Sequence, residues 1–393
     1  MPRRAYSFQV RLTERSQTMR STEAVKDPQI LALLDAANIT TDRDLAAEML
    51  QTVLKLATDQ PGRGEMKLMS RSLKELRYAL KVFKPYRSRR KVSVFGSART
   101  PEDHPNYKQA ALFGRMLADN GFMVITGAGG GIMAAGHEGA GKPASFGVAI
   151  KLPFEQKTNA IIEGDEKLIH FRYFFSRKLM FVKETHAIAL FPGGYGTHDE
   201  GFEVLTLVQT GRCDPLPIVL IEETGGSYWR GWDHFIREHL LQTGLISPED
   251  TALYFVTDDP AKGVEHISEF YRNYHSCRYV KDELFLRVKH APTPAELAEL
   301  NKEFASILLG GQIETRATQT FDEETLVPHY PRVVLKFDRR SLAKLRLLID
   351  RLNTLPSLPP ETVPAAETEE SRSDRGVSEI AEEEAVRIVD PQA

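Results

Sequence analysis

The sequence predicts an α/β protein: a Rossmann-like, doubly wound parallel sheet with a helical N-terminal module and a small α+β C-terminal appendage. Three observations support this class. Short apolar runs alternate with helix-period segments from Lys91 onward. Three of those runs end in glycine-bearing turns that open into helices. The 393 residues, 41% of them hydrophobic, are enough to bury a large core.

The first predicted elements are helices, which form a module over residues 27–90. Apolar residues cluster at 30–34 and recur at helical spacing over 45–56. A third amphipathic segment, 66–83, ends before Pro85, which cannot continue a helix. We expect packing or subunit contact from this module rather than chemistry.

The central region, residues 91–273, is predicted to form the parallel sheet. The predicted strands are 91–95, 122–125, 147–150, 186–191, 216–221 and 253–256. The predicted helices are 107–120, one that opens at about 132, 172–184, 197–210 and 228–241. Ligands of such sheets bind at the carboxyl ends of the strands, and all three glycine turns fall at that edge.

The rest of the chain divides into an appendage and two tails. Residues 274–355 are expected to hold strands at 283–288 and 332–337 and helices at 294–305 and 341–352. Residues 356–393 are rich in Pro and Glu and poor in apolar residues, which predicts a disordered acidic tail. Residues 1–26 are expected to be a flexible arm, an organellar transit peptide being the weaker alternative.

Composition disfavours several classes of protein. The net charge of −3 gives no basic excess for binding nucleic acid. Cys213 and Cys277 have no metal-site or disulfide-framework spacing, which favours a cytoplasmic location. Without an apolar run of about 18 residues, neither a membrane span nor a membrane partner is expected. We also expect no metal and no cofactor.

The third glycine turn, residues 192–200, is the most informative part of the sequence. It joins the apolar strand at 186–191 to a helix through Gly193, Gly194 and Gly196. Glycines at such a junction let backbone N–H groups approach an anion at the positive end of the helix. Glu200, about one turn into the helix, then faces whatever the phosphate is attached to.

Two cations precede this turn in the helix that leads into the same strand. With them, the chain resembles the LONELY GUY family, formerly labelled lysine decarboxylases, whose signature is Arg-Lys followed by Pro-Gly-Gly-x-Gly-Thr-x-x-Glu. The matching positions are Arg177, Lys178, Pro192, Gly193, Gly194, Gly196, Thr197 and Glu200. The resemblance implies a phosphoribohydrolase that splits a nucleoside 5′-monophosphate into free base and ribose 5-phosphate. It also implies a homodimer or higher homo-oligomer.

The second turn departs from the family pattern at three positions: Ala128, Gly130 and Ala134 replace Gly, Pro and Glu. Because Ala128 disfavours positive φ, the local path is expected to differ from the family's. The turn is also not the dinucleotide fingerprint, since Ile132 stands where its last glycine belongs.

The predicted site therefore has two catalytic residues, Glu200 and Arg177. The predicted substrate-binding residues are Ser97, Gly130, Gly131, Met133, Lys178, Gly193, Gly194, Gly196, Thr197 and Glu203. Asp199 is expected to face away, and His198 to lie either at the substrate edge or simply exposed.

Three questions stay open at this stage. A carrier or sensor that binds a nucleotide without cleaving it is the main alternative to an enzyme. A decarboxylase with pyridoxal phosphate on Lys178 is a weaker one. Within the hydrolase interpretation, AMP-like substrates and cytokinin ribotides are not separated.

Overall fold

The computed structural model describes residues 27–152, 157–316 and 330–360. The predicted arm at 1–26 and the predicted tail beyond residue 360 lie outside the described residues. The chain divides into two compact units, Met1–Lys67 with Glu382–Ala393 and Leu68–Ala381. In the described part of the chain, no helix combines the length and the apolar character needed to cross a membrane.

The first unit contains the helices α1 (Pro28–Ala36) and α2 (Arg43–Thr58). They pack through a small core of Ile30, Leu34 and Ala47. The side chain of Asp27 caps α1 by accepting a hydrogen bond from the Gln29 N–H. The next helix, α3 (Arg63–Phe83), spans the boundary between the units, and its C-terminal half packs in the second unit.

The second unit is built on a seven-stranded parallel sheet, as the sequence predicts. Its strands are β1 (Lys91–Phe95), β2 (Met123–Thr126), β3 (Ser145–Ile150), β4 (Leu168–Phe171), β5 (Ala187–Leu190), β6 (Ile218–Ile221) and β7 (Tyr254–Thr257). Their order is β4-β3-β2-β1-β5-β6-β7, and every pair is parallel. Six of the seven strands were predicted. Strand β4 was not, because Leu168 to Phe171 is only four residues long and is interrupted by the exposed His170.

Helices cover both faces of this sheet. They are α4 (Pro105–Asp119), α5 (Ile132–Ala140), α6 (Phe174–Glu184), α7 (Tyr195–Gln209), α8 (Tyr228–Phe235) and α9 (Pro260–Phe270). Side chains alternate between two cores because successive strand residues point to opposite faces. In β5, Ala187 and Ala189 pack with α4, α5 and α9, whereas Ile188 and Leu190 pack with α6, α7 and α8.

The strand order reverses between β1 and β5. Strands β2, β3 and β4 extend from β1 in one direction, and β6 and β7 extend from β5 in the other. The loops that leave β1 and β5 therefore diverge and open a crevice at their carboxyl ends. Doubly wound sheets bind their ligands in this crevice.

The C-terminal part forms a separate antiparallel sheet with two helices. Its strands are β8 (Tyr274–Val280), β9 (Glu283–Val288), β10 (Leu308–Arg316) and β11 (Arg332–Phe337), and its helices are α10 (Pro294–Glu303) and α11 (Leu342–Asn353). The order is β10-β11-β9-β8. Strands β8 and β10 were not predicted, since β8 has His275, Ser276 and Arg278 among its apolar residues and β10 contains Gly310 and Gly311.

Candidate active site

Three turns meet at the switch point, and backbone hydrogen bonds tie them together. The Ser97 N–H, after β1, donates to the Pro192 carbonyl after β5 at 3.1 Å. The Ser97 carbonyl accepts from the Ile132 N–H at the start of α5 at 3.0 Å. Ser97 is thus bonded through its main chain to both other turns, and the three turns form one rigid unit.

The glycines of these turns are needed for close packing. At Gly131, which has φ +57°, an added Cβ would lie 2.2 Å from the Ser97 carbonyl oxygen. At Gly193, an added Cβ would lie 2.1 Å from Thr197 Oγ1. An added Cβ at Gly130 would come within 3.4 Å of the Ala98 carbonyl. Gly131 is therefore what lets the second turn pack against the first, whereas the distance at Gly130 is an ordinary van der Waals contact.

A cavity of about 800 Å³ opens where the three turns meet. Eight of the twelve predicted site residues line it: Ser97, Met133, Arg177, Gly193, Gly194, Gly196, Thr197 and Glu200. The other four, Gly130, Gly131, Lys178 and Glu203, are not among the described residues that line it. The structure therefore brings the two predicted catalytic side chains and the third glycine turn to one space.

The Arg177–Glu200 pair joins α6 to α7 beneath this cavity. Arg177 Nη2 lies 3.4 Å from Glu200 Oε1, and their side chains are 14% and 4% exposed. Burial raises the pKa of Glu200 to about 7, because desolvation outweighs the favourable charges of Arg177 and Lys178. Burial also lowers the pKa of Arg177 from its usual value. The carboxyl group can thus exchange a proton near neutral pH.

The Arg177 guanidinium has further capacity for binding. Its Cζ lies 5.1 Å from the ring centre of Phe174 and 5.5 Å from that of Phe181. Its Nε is buried and has no hydrogen-bond partner among the described residues. A single long hydrogen bond to Glu200 leaves donors of Arg177 for a ligand.

Lys178 lies next to Arg177 in sequence but makes different contacts. Its Nζ lies 2.8 Å from Asp199 Oδ2 and also contacts the carboxylate of Glu203. Burial alone would lower the pKa of Lys178, but the hydrogen bonds that its ammonium group donates to these two carboxylates outweigh burial and raise it. Asp199 was expected to face away from the site. Its side chain is exposed and does not line the cavity, and its carboxylate pairs with Lys178. This cluster ties α6 to the first two turns of α7.

The start of α7 supplies the features of an anion site. The helix begins at Tyr195, and the N-cap residue, Gly194, has no side-chain cap. An added Cβ would meet nothing within 4 Å at Gly194 or Gly196, so the space above them is open. Free N–H groups and the positive end of the helix favour a phosphate there.

Sequence reasoning missed Tyr228 and left His198 undecided. The Tyr228 hydroxyl donates to the Gly193 carbonyl at 2.5 Å, and His198 Nε2 lies 2.7 Å from the same hydroxyl. His198 lines the cavity, and burial lowers its pKa. No pattern in the sequence signals the contact, because Tyr228 lies on α8, beyond the motif and beyond the next strand.

The second turn holds Ala128 at positive φ. This residue adopts φ +62°, a conformation that suits glycine better than alanine. Buried side chains hold the turn: Thr126 Oγ1 accepts from the Ala128 N–H at 3.0 Å and lies 3.0 Å from His137 Nε2. Asn159 donates to the Gly129 carbonyl at 3.0 Å.

Within residues 27–152, 157–316 and 330–360, no group of three or more His, Cys, Asp or Glu side chains is arranged to hold a metal ion.

Comparison with known proteins adds one finding about the family. Residues 130–267 match the sequence profile of the family described as "Possible lysine decarboxylase". This is the former label of the proteins that the motif resembles, and the matched segment contains Arg177, Lys178 and the whole third turn. The match supports the resemblance over about a third of the chain. No curated protein matches the chain.

Among solved structures, the chain is similar to an X-ray structure of TM1055, with 19% identity over 45% of this chain and 96% of that one and a TM-score of 0.33. It is also similar to the molybdenum cofactor binding protein from Rippkaea orientalis, with 18% identity over 44% and 91% and a TM-score of 0.31. For the molybdenum cofactor carrier protein from Chlamydomonas reinhardtii, the identity is 17% over 45% and 94%, with a TM-score of 0.32.

Proposed function

We propose that this protein hydrolyses the N-glycosidic bond of a nucleoside 5′-monophosphate, AMP-like or a cytokinin ribotide, to free base and ribose 5-phosphate. One observation carries the proposal: the buried Glu200 carboxyl and the Arg177 guanidinium share a cavity with the uncapped start of α7. An acid that changes protonation near neutral pH, a cation and an anion seat are what this cleavage needs.

The 5′-phosphate would bind at the start of α7. In this proposal the N–H groups of Gly194 and Gly196 and the hydroxyls of Thr197 and Ser97 receive it, and the helix end supplies positive charge. A cavity of about 800 Å³ has room for a nucleotide. Phosphate binding remote from the broken bond contributes energy that positions the sugar.

Glu200 would act on the sugar and the water. As the C1′–N bond breaks, positive charge develops on the ribose ring, and the ionised carboxylate stabilises it. A water oxygen then bonds to C1′ and gives a proton to Glu200. The departing base takes up one proton, so the carboxyl returns to its starting state when it supplies that proton. A pKa of about 7 suits both transfers.

Arg177 would serve both the enzyme and the substrate. Its charge keeps a fraction of Glu200 ionised in a site where burial favours the neutral acid. Its remaining donors face the ribose hydroxyls or the base, which accumulates negative charge as it leaves. Such an arrangement stabilises the transition state more than the bound substrate.

The decisive experiment is incubation of the purified protein with AMP, with adenine and ribose 5-phosphate measured by chromatography. Glu200→Gln should reduce adenine release by about 10²-fold or more, because one preorganised electrostatic group is lost. The matched control is Glu203→Gln on the same helix, which should lose less than about tenfold. Substantial hydrolysis by the Glu200→Gln protein would reject the assignment.

The same experiment separates the alternatives. A carrier or sensor would bind AMP and release no adenine, and a panel of nucleoside monophosphates would then identify its ligand. For a decarboxylase, Lys178 would have to form a Schiff base as the neutral amine. Its two acidic partners favour the charged form, which argues against that chemistry. Homo-oligomerisation and a cytoplasmic location stay part of the proposal, and light scattering tests the first.

A further inference from the structure

Two hydrogen bonds connect His198, a variable position of the signature motif, through Tyr228 to the first glycine of the motif. His198 Nε2 lies 2.7 Å from the Tyr228 hydroxyl oxygen, and that oxygen lies 2.5 Å from the Gly193 carbonyl oxygen. Gly193 lines the cavity, whereas Tyr228 is not among the described lining residues. These hydrogen bonds therefore link His198, which lines the cavity, to the first glycine of the third turn through Tyr228.

The positions of the protons in these hydrogen bonds follow from chemistry. Two oxygens 2.5 Å apart repel each other unless a proton lies between them, and a carbonyl has none to give. The single hydroxyl proton of Tyr228 is therefore donated to Gly193. Nε2 of His198 must then carry a proton and donate to Tyr228. Burial lowers the pKa of His198 and so favours the neutral ring. The single ring proton then lies on Nε2, because that nitrogen must donate to Tyr228.

Tyr228 is itself held in place from two directions. Its backbone N–H donates to Glu222 Oε2 at 2.6 Å, and the Trp229 N–H donates to the same oxygen at 3.2 Å. Glu222 is 1% exposed and follows β6 directly. The His198 ring stacks on the Tyr228 ring with 5.8 Å between centroids. The hydroxyl is thus fixed relative to the sheet.

The contact sets the direction of one peptide group. In a planar trans peptide, the C=O of one residue and the N–H of the next point in opposite directions. Because the Gly193 carbonyl points to Tyr228, the Gly194 N–H points the other way, toward the cavity. Glycine on both sides makes rotation of this peptide easy when nothing holds it. Rotation would present a carbonyl oxygen to a bound anion.

We propose that Tyr228 is a positioning residue for the phosphate seat, and that it acts by holding the Gly193–Gly194 peptide with its N–H toward the ligand. His198 aligns the hydroxyl. The inference deepens the proposed function and rests on it, since it assigns the bound group to a phosphate monoester. A preorganised donor of this kind needs no reorganisation when the anion binds.

The test compares Tyr228→Phe with the unaltered full-length protein. Calorimetry should show an about tenfold higher Kd for ribose 5-phosphate, because one donor of the seat is no longer held. The KM for AMP should rise by about the same factor with kcat changed less than twofold, and the slow cleavage of adenosine should not change. A purely structural role would affect AMP and adenosine equally.

Two further comparisons sharpen the test. Tyr254→Phe is the matched control, since its hydroxyl donates to Asp233 at 2.6 Å in the same aromatic cluster and does not reach Gly193. It should leave the Kd for ribose 5-phosphate unchanged. His198→Phe should weaken phosphate binding, and His198→Gln, which keeps an N–H donor, should restore most of it.

The outcomes separate this inference from the proposed function. If the unaltered protein releases adenine but Tyr228→Phe binds ribose 5-phosphate equally well, the inference is wrong and the proposed function stands. If Tyr228→Phe impairs AMP and adenosine cleavage to the same degree, the inference is also wrong. If the unaltered protein neither binds ribose 5-phosphate nor releases adenine, both proposals fail.

Discussion

Two ion clusters lie side by side between α6 and α7, and they differ in whether burial or ion pairing determines the pKa values of their members. Arg177 and Glu200 are both buried and share one contact of 3.4 Å. Lys178, the next residue along α6, contacts two carboxylates, one of which is 59% exposed. Desolvation dominates the first cluster and raises the pKa of Glu200, whereas pairing dominates the second and raises the pKa of Lys178.

The difference shows how one helix can carry a reactive group and a structural group in consecutive positions. Successive helical residues are about 100° apart, so Arg177 faces the cavity while Lys178 faces α7 beside it. An ion with two oppositely charged partners, such as Lys178, is held in one protonation state. In the buried pair, Arg177 retains hydrogen-bond donors for a ligand and Glu200 can gain or lose a proton near neutral pH. Both properties are typical of catalytic groups.

The largest expected effect comes from removing each cation in turn. If the proposed function holds, Arg177→Met should lower adenine release from AMP by about 10²-fold or more, because one preorganised charge beside the substrate is lost. Lys178→Met should lower it by less than about tenfold. Both rates are measured at saturating AMP, with circular dichroism to verify that each variant is folded. Equal losses in the two variants would remove the distinction between the clusters.

The next effect concerns stability and pH. Glu200 has a pKa of about 7 in the folded protein against an ordinary value of 4.5, so the folded state holds its proton to higher pH. The free energy of unfolding therefore falls as pH rises from about 4.5 to about 7, by about 3 kcal/mol for a pKa shift of this size. Relative to Glu200→Gln, the unaltered protein should become less stable between pH 5 and pH 8.

Urea denaturation of both proteins at the two pH values measures this difference. Glu299→Gln, an exposed acid on α10, is the control and should change little relative to the unaltered protein. A constant difference in unfolding free energy between Glu200→Gln and the unaltered protein would mean that Glu200 does not titrate in this range.

The smallest effect is expected at the exposed end of the second cluster. Asp199→Asn should reduce the free energy of unfolding by less than about 1 kcal/mol, because an exposed ion pair contributes little and Lys178 keeps Glu203 as a partner. Thermal unfolding of Asp199→Asn, Glu203→Gln and the double variant measures the coupling. A loss of several kcal/mol from Asp199→Asn alone would show that this cluster is not a surface contact.

The fold was predictable where local patterns are strong. Strands β2 and β5 are largely apolar and β1 alternates polar with apolar residues. All three end in glycine turns, and the parallel sheet follows from them. Strands β4, β8 and β10 escaped because they owe their structure to neighbouring strands rather than to their own residues. Strands β4, β8 and β10 each lie at the edge of a sheet, and this position contributes to the weakness of their sequence patterns.

The candidate site was predictable to the extent that it lies in one motif. The cavity, the Arg177–Glu200 contact and the glycine turn all involve residues that the motif names. The distinct surroundings of Lys178 and the part played by Tyr228 were not accessible, because each depends on which side chains neighbouring helices bring within about 3 Å.

The sequence by itself determined six of the seven strands of the parallel sheet and the three glycine turns, since these depend on local spacing and backbone preference. Tertiary structure alone decided which charges are buried, which are paired and which carbonyl is held by Tyr228. Burial and hydrogen-bond geometry arise only when distant segments pack together, and they determine how strongly a given carboxyl group holds its proton.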